Sequence, residues 1–228
     1  MAIFSNTSYE NVVVHDLRTP LNVIQLAIRM LEDSPAIRDT ETAEDLHMIR
    51  ANAQELEHML IHLIDFSRLP ELPSELVLDT FDPRRLLEEV LEEYRSRYPR
   101  VIELDAANAP SQVTLDHSRT QMAFKKVLAN VAGAAMGTSV HVRLGGEPDR
   151  CVASFRVGVP PRDSVWTHEV DPDHFERIIG TPAERRGLDL SIAAKISKLF
   201  GGMLRLEAVP GQGTTAVLDW PSRVERDS

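Results

Sequence analysis

The stretch "VVVHDLRTPLNVI", residues 12–24, sets a histidine, an aspartate, an arginine, a threonine and a proline inside an otherwise apolar helical pattern. Around it, Val14, Leu17, Leu21, Ile24, Ile28 and Leu31 recur at alternating steps of three and four, a heptad seam. A second series, Leu46, Ile49, Ala53, Leu56, Leu60 and Leu63, repeats the rhythm. Between them "EDSPAIRDTETAED" is polar and holds a proline, which reads as the connection of a helical hairpin over residues 9–68. Val23, Leu26, Ala27 and Met30 in the first helix, and Met48, Met59, Ile61 and Ile64 in the second, are apolar and lie off the seam. One hairpin cannot bury seam and flanks together, whereas two packed as a four-helix bundle can. The expectation is a homodimer; the alternative is a monomeric hairpin buried against the rest of the chain.

Bulk properties exclude several classes. The chain has 228 residues, 43% of them hydrophobic and 26% charged, as in ordinary globular proteins. A net charge of −10 argues against nucleic acid, whose binders carry a basic face. A lone cysteine, Cys151, cannot make an internal disulfide and suits a reducing compartment. No apolar run is long enough for a membrane span, and "MAIFSNTSYEN" lacks the basic start and apolar core of a signal peptide. The expectation is a cytoplasmic protein free of membrane.

After the proline-punctuated "SRLPELPSEL" the pattern changes. "ELVLDTF", "RVIELDA", "SQVTL", "SVHVRL" and "CVASFRV" read as strands, and "GMLRLEAV" and "TTAVLDW" as a hairpin around "PGQG". "DPRRLLEEVLEEYRSRY" reads as a helix capped by Asp82 with Pro83 first inside it. "DHSRTQMAFKKVLANVAGAA" is a second helix, and "LDLSIAAKISKLF" a third, stopped by Gly201 and Gly202. "VWTHEVDPDHFERIIG" reads as a packed connector. Strands and helices in this order suggest a mixed sheet covered by helices on one face. The division is residues 1–70, a helical hairpin, and residues 71–228, an α+β sandwich.

With Val14 and Leu17 in the seam, His15 falls on the solvent side of its helix, and Thr19 shares that face. Asp16 can fix the tautomer of the imidazole and leave its other nitrogen as a nucleophile. Pro20 removes a backbone donor and bends the helix about one turn beyond the histidine. The bland alternative is an exposed histidine on a kinked helix. His58 and His62, four apart, have metal-ligand spacing but no third ligand, so no metal site is expected.

"HDLRTPL" closely resembles the phosphoacceptor box of bacterial sensor histidine kinases. "LIDFSRLPEL" is similar to the end of their dimerisation bundle, "FDPRRLLEEVLEEY" to the start of their ATP-binding domain, and "GLDLSIAAKISKLFGGMLRLEAVPGQGTTAVLDWP" to its last third. The resemblance implies a dimeric four-helix bundle followed by an α/β sandwich of the histidine-kinase ATPase type. It implies that His15 is the phosphorylated residue, Asp16 its acid–base partner, and Thr19 the position that aids dephosphorylation of a partner regulator. Arg18, Pro20 and Asn22 then belong to the surface where a receiver domain docks.

The second half departs from the family where nucleotide is held. The paired asparagines fall on Lys126 and Asn130, or, one turn later, on Asn130 and Ala134. Val157, in "FRVGVPPRD", stands where an aspartate would accept the adenine amino group. The glycine-rich phosphate turn reads "ERRGLDL", in which Gly187 is kept and Asp189 replaces a glycine, with Arg185 and Arg186 near enough to offset its charge. The expectation is a phosphorelay histidine phosphotransferase working between receiver aspartates, with no cofactor of its own and Mg²⁺ supplied by the receiver. The alternatives are a divergent histidine kinase and a pseudokinase that regulates another kinase. Only about 14 residues precede His15, so the input is expected to be another protein.

Overall fold

The computed structural model describes residues 21–31, 41–97, 101–134, 139–147, 149–158, 166–172, 186–209 and 213–224. The chain divides into two compact units, Met1–Leu69 and Pro70–Ser228.

In the first unit, residues 21–31 (α1) and Glu41–Ser67 (α2) are helical. Leu21, Ile28, Leu46 and Ala53 form its buried cluster, with Leu60 packed against them. These are alternate members of the two heptad series. Among the described side chains the other members, Ile24 and Leu31 in α1 and Ile49 and Leu56 in α2, are 46–53% exposed. The seam is thus split lengthwise: one half closes the hairpin, and the other faces outward in the single chain.

The second unit begins with a short 3₁₀ turn, Pro73–Glu75, followed by strand β1, Leu78–Phe81. Helix α3, Pro83–Arg97, starts where Asp82 accepts hydrogen bonds from the amides of Arg84 (2.8 Å) and Arg85 (3.3 Å). The side chain satisfies two of the amides that a helix start leaves open. Strands β2, Ile102–Asp105, and β3, Val113–Asp116, lead into helix α4, His117–Ala134. Strands β4, Val140–Gly145, β5, Arg150–Val157, and β6, Trp166–Glu169, come next. Helix α5, Arg186–Leu199, precedes β7, Met203–Val209, and β8, Gly213–Pro221.

Strands β1 and β3 form a small antiparallel sheet. The main sheet has six strands in the order β2-β4-β5-β8-β7-β6, with β2 parallel to β4 and every other pair antiparallel. Strand periodicity separates its faces. Cys151, Ala153, Phe155 and Val157 of β5 are buried, as are Leu204, Leu206 and Ala208 of β7 and Thr214, Ala216, Leu218 and Trp220 of β8. Cross-strand register aligns them in rows, such as Ala153–Leu218–Leu204 and Phe155–Ala216–Leu206. Helices α4 and α5 pack on this face and on each other. Phe124 of α4 stacks on Trp220 at 5.7 Å, and Phe200 meets the same indole edge-on at 5.2 Å. The indole N–H donates to Ser197 Oγ at 2.8 Å, so the core's largest side chain is buried with its polar atom paired. On the opposite face Arg150 binds the Asp219 carboxylate through Nε (2.9 Å) and a terminal nitrogen.

Two boundaries repay attention. Helix α5 ends as expected at Gly201, whose φ of +74° is open to glycine at little cost. A Cβ at Gly202 would collide with the Asp219 carbonyl and with Trp220, so the turn needs both glycines. Strand β6, by contrast, lies inside the segment read from sequence as a connector. It pairs with β7 alone, and Thr167, His168 and Glu169 are all exposed. An edge strand with no buried alternation in those residues gives no periodic signal.

Candidate functional site

Of the residues assigned to phosphotransfer and docking, His15, Asp16, Arg18, Thr19 and Pro20 lie outside the described residues. Asn22 is described, exposed in the first turn of the described part of α1. Three residues on, Gln25 is buried in the hairpin between Leu21 and Ile28, and its Nε2 donates to Glu57 Oε2 of α2 at 3.1 Å. This polar tie between the helices was not read from the sequence. The signal was available: Gln25 sits on the inner stripe, where an unsatisfied amide is costly and needs a partner. The side chains of His58 and His62 lie outside those described, and among the described residues no group of three or more potential metal ligands gathers.

In the second unit, Asp116 sets the start of α4. Its Oδ1 accepts from the Arg119 amide at 3.0 Å, its Oδ2 accepts from the Val77 amide at 3.0 Å, and its carbonyl accepts from the Thr120 hydroxyl at 2.8 Å. One buried carboxylate therefore caps the helix and fixes the segment that precedes β1. Two turns further along α4 comes Lys126, then Asn130 one turn later, the latter fully buried. Helix α5 opens at Arg186, so Gly187 and Asp189 both belong to its first turn. Lys126 Nζ lies 3.4 Å from Asp189 Oδ1, with the two side chains only 13% and 11% exposed. The expected offset of Asp189 by Arg185 and Arg186 falls on side chains outside those described; among the described side chains, Lys126 of α4 reaches it. Lys126 was read only as a missing asparagine, because its partner is remote in sequence.

Val157 ends β5 with its side chain in the core, in register with Val140 and Thr214. It offers no hydrogen-bond acceptor. Cys151, on the same strand and the same face, is not a nucleophile at neutral pH: burial foremost, and then the Asp219 carboxylate, push its thiol up to about 12.

The comparisons with known proteins bear on the hairpin's family match and on the fold. Residues 11–72 match the His Kinase A (phospho-acceptor) domain. Over 221 residues the chain is 28% identical to the methanogenesis regulatory histidine kinase FilI of Methanothrix harundinacea, covering 92% of this chain and 24% of that protein. It is 31% identical over 222 residues to the sensor histidine kinase AruS of Pseudomonas aeruginosa, covering 88% of this chain and 21% of that one. Against the sensor histidine kinase MtrB of Mycobacterium tuberculosis the identity is 24% over 223 residues, 92% of this chain and 38% of the relative. The chain thus spans about a fifth to two-fifths of the length of these relatives.

Among solved structures, full-length ShkA in complex with AMPPNP superposes with a TM-score of 0.66 at 21% identity, over 95% of this chain and 46% of that one. Histidine kinase ThkA in complex with the response regulator protein TrrA gives 0.59 at 19% identity, over 95% of this chain and 62% of that one. At these identities the structures speak for the fold. Hairpin and mixed-sheet unit share the fold of histidine-kinase structures. The residues that match the phospho-acceptor domain, 11–72, include the string "HDLRTPL". No described helix is long and apolar enough to cross a membrane.

Proposed function

We propose that this chain is a histidine phosphotransferase of a phosphorelay, passing a phosphoryl group between receiver aspartates through His15 without hydrolysing ATP. The observation that carries the reading is a contrast within one chain. The phosphoacceptor string is complete, while the nucleotide-associated positions hold Val157 and Asp189 and, in either register, one of the paired asparagines is replaced, by Lys126 or by Ala134.

In the first step a neutral ring nitrogen of His15 attacks the phosphorus of an aspartyl phosphate. A P–N bond forms, the P–O bond to the aspartate breaks, and the receiver's carboxylate is regenerated. In the second step a carboxylate of another receiver attacks the phosphohistidine, and the imidazole leaves. Asp16 orients the ring and stabilises its positive charge. Thr19, Arg18, Pro20 and Asn22 belong to the receiver-facing surface. Mg²⁺ arrives with the receiver, and catalysis is mainly positioning and charge neutralisation. The complex of a kinase of this fold with a response regulator supports a receiver as partner.

The exposed half-seam supports a homodimer. Ile24, Leu31, Ile49 and Leu56, with Val23, Leu26, Met30 and Met48, are large apolar side chains left 46–69% exposed on the two helices. A second hairpin would cover them as a four-helix bundle.

The test is labelled phosphotransfer from a panel of phosphorylated receivers, wild type against His15→Gln. The expected result is label on the wild type, passage to a second receiver, and none on the variant. Equal labelling of the variant, or a wild type that accepts from no receiver in its own cell, would sink the reading. A second reading, a divergent histidine kinase, is favoured by relatives that bear that name along nearly the whole chain. Autophosphorylation of His15 from labelled ATP would establish it instead.

A further inference from the structure

We infer that the Lys126–Asp189 ion pair stands in the place of a magnesium nucleotide in the second unit, so that this kinase-type fold is complete without one. The inference deepens the ATP-independent reading above and rests on its assignment of the second unit, but not on the chemistry of His15.

The fold implies a nucleotide between α4 and the start of α5, and the residues there do not fit one. A magnesium nucleotide is an anion. It would have to enter beside the Asp189 carboxylate, in the first helical turn where a glycine would let backbone amides approach phosphate. The cation best placed to attract it, Lys126, already lies 3.4 Å from that carboxylate. Both side chains are nearly buried, and a charge buried there needs its partner. Asn130, the remaining candidate for Mg²⁺, is fully buried and cannot meet an ion arriving from solvent without rearrangement of α4. Val157 cannot accept an adenine amino group. Each replacement on its own removes one contact. The pair does more: two substitutions of opposite charge on separate helices satisfy each other. In that place a nucleotide would otherwise supply the charge and hold α4 to α5.

The test is thermal unfolding of the full chain, followed through the buried Trp220, with Mg-ATP and Mg-ADP as probes. For the wild type, millimolar Mg-ATP should leave the midpoint unmoved, although a ligand of micromolar affinity would raise it by several degrees. Lys126→Met and Asp189→Leu should each lower the midpoint by about 5–10 °C, because each removes one partner of a nearly buried ion pair. The double variant Lys126→Met/Asp189→Leu should recover most of that loss. A saturable wild-type shift with Mg-ATP overturns the inference, as does a double variant whose loss equals the sum of the singles. The wild-type titration decides the matter even where a single variant fails to fold. Receiver transfer through His15 is scored separately, so its failure would remove the relay reading and leave the ion pair's role intact. A nucleotide shift without autophosphorylation would do the reverse.

Discussion

The two units treat their surfaces in opposite ways. The hairpin leaves half its heptad seam in solvent, with Leu56 53% exposed, and closes itself through the other half alone. The mixed-sheet unit buries its apolar rows and pairs several of the polar groups enclosed with them: Trp220 with Ser197, Asp116 with the α4 start, Lys126 with Asp189. On the reading proposed above, the first is finished by a second copy of the chain and the second from within. The hairpin then keeps chemistry and an interface, and the sheet unit keeps packing, with internal contacts where a nucleotide would stand.

That comparison can be broken most severely in the sheet unit's core. Trp220→Ala removes the ring on which Phe124 and Phe200 pack and leaves Ser197 without its donor. The expected loss is about 3–5 kcal/mol in denaturant unfolding monitored by circular dichroism. A loss under about 1 kcal/mol would mean that the unit's core is less closely packed than its aromatic contacts indicate.

The next effect belongs to the hairpin. Leu56→Glu replaces a residue that is exposed in the single chain, so a monomeric protein would tolerate it. In a four-helix bundle the carboxylate would be buried unpaired, and the dimer should dissociate in sedimentation equilibrium. Val77→Glu is the control, since Val77 is also exposed but belongs to the second unit. It should leave the oligomeric state unchanged. A wild type that sediments as a monomer at micromolar concentration removes the dimer.

Much of the fold was legible because local rules and tertiary structure agree. Asp82 followed by Pro83 announces α3, Gly201 and Gly202 close α5, and the rows of β5 and β7 alternate cleanly. Strand β6 was not legible, since its exposed Thr167, His168 and Glu169 show no inner face. Nor was the split of the seam. The heptad rhythm says that Leu21, Ile24, Ile28 and Leu31 share a stripe, but not which of them the partner helix covers. At the candidate site, "HDLRTPL" was readable as a string because its chemistry is local. The contact between Lys126 and Asp189 depends on how α4 packs on α5, and no local pattern encodes that.

The smallest effect sharpens the comparison at two helix starts of one unit. Asp82 and Asp116 do the same job for α3 and α4, each accepting an amide in the first turn. Asp82 is exposed, and water can replace its oxygen when it is lost. Asp82→Ala should therefore cost about 1 kcal/mol, the usual value of an N-cap. Asp116 is buried and also accepts from the Val77 amide, so Asp116→Ala leaves that amide and the α4 start without an acceptor in a place water reaches poorly. Its cost should be larger, about 2–3 kcal/mol, since each unsatisfied buried group adds its own desolvation penalty. Urea unfolding of the two variants, compared at equal m-value, measures the difference. Equal losses would show that the Asp116 side chain is no better enclosed than Asp82, and that the second unit is not completed from within at this point.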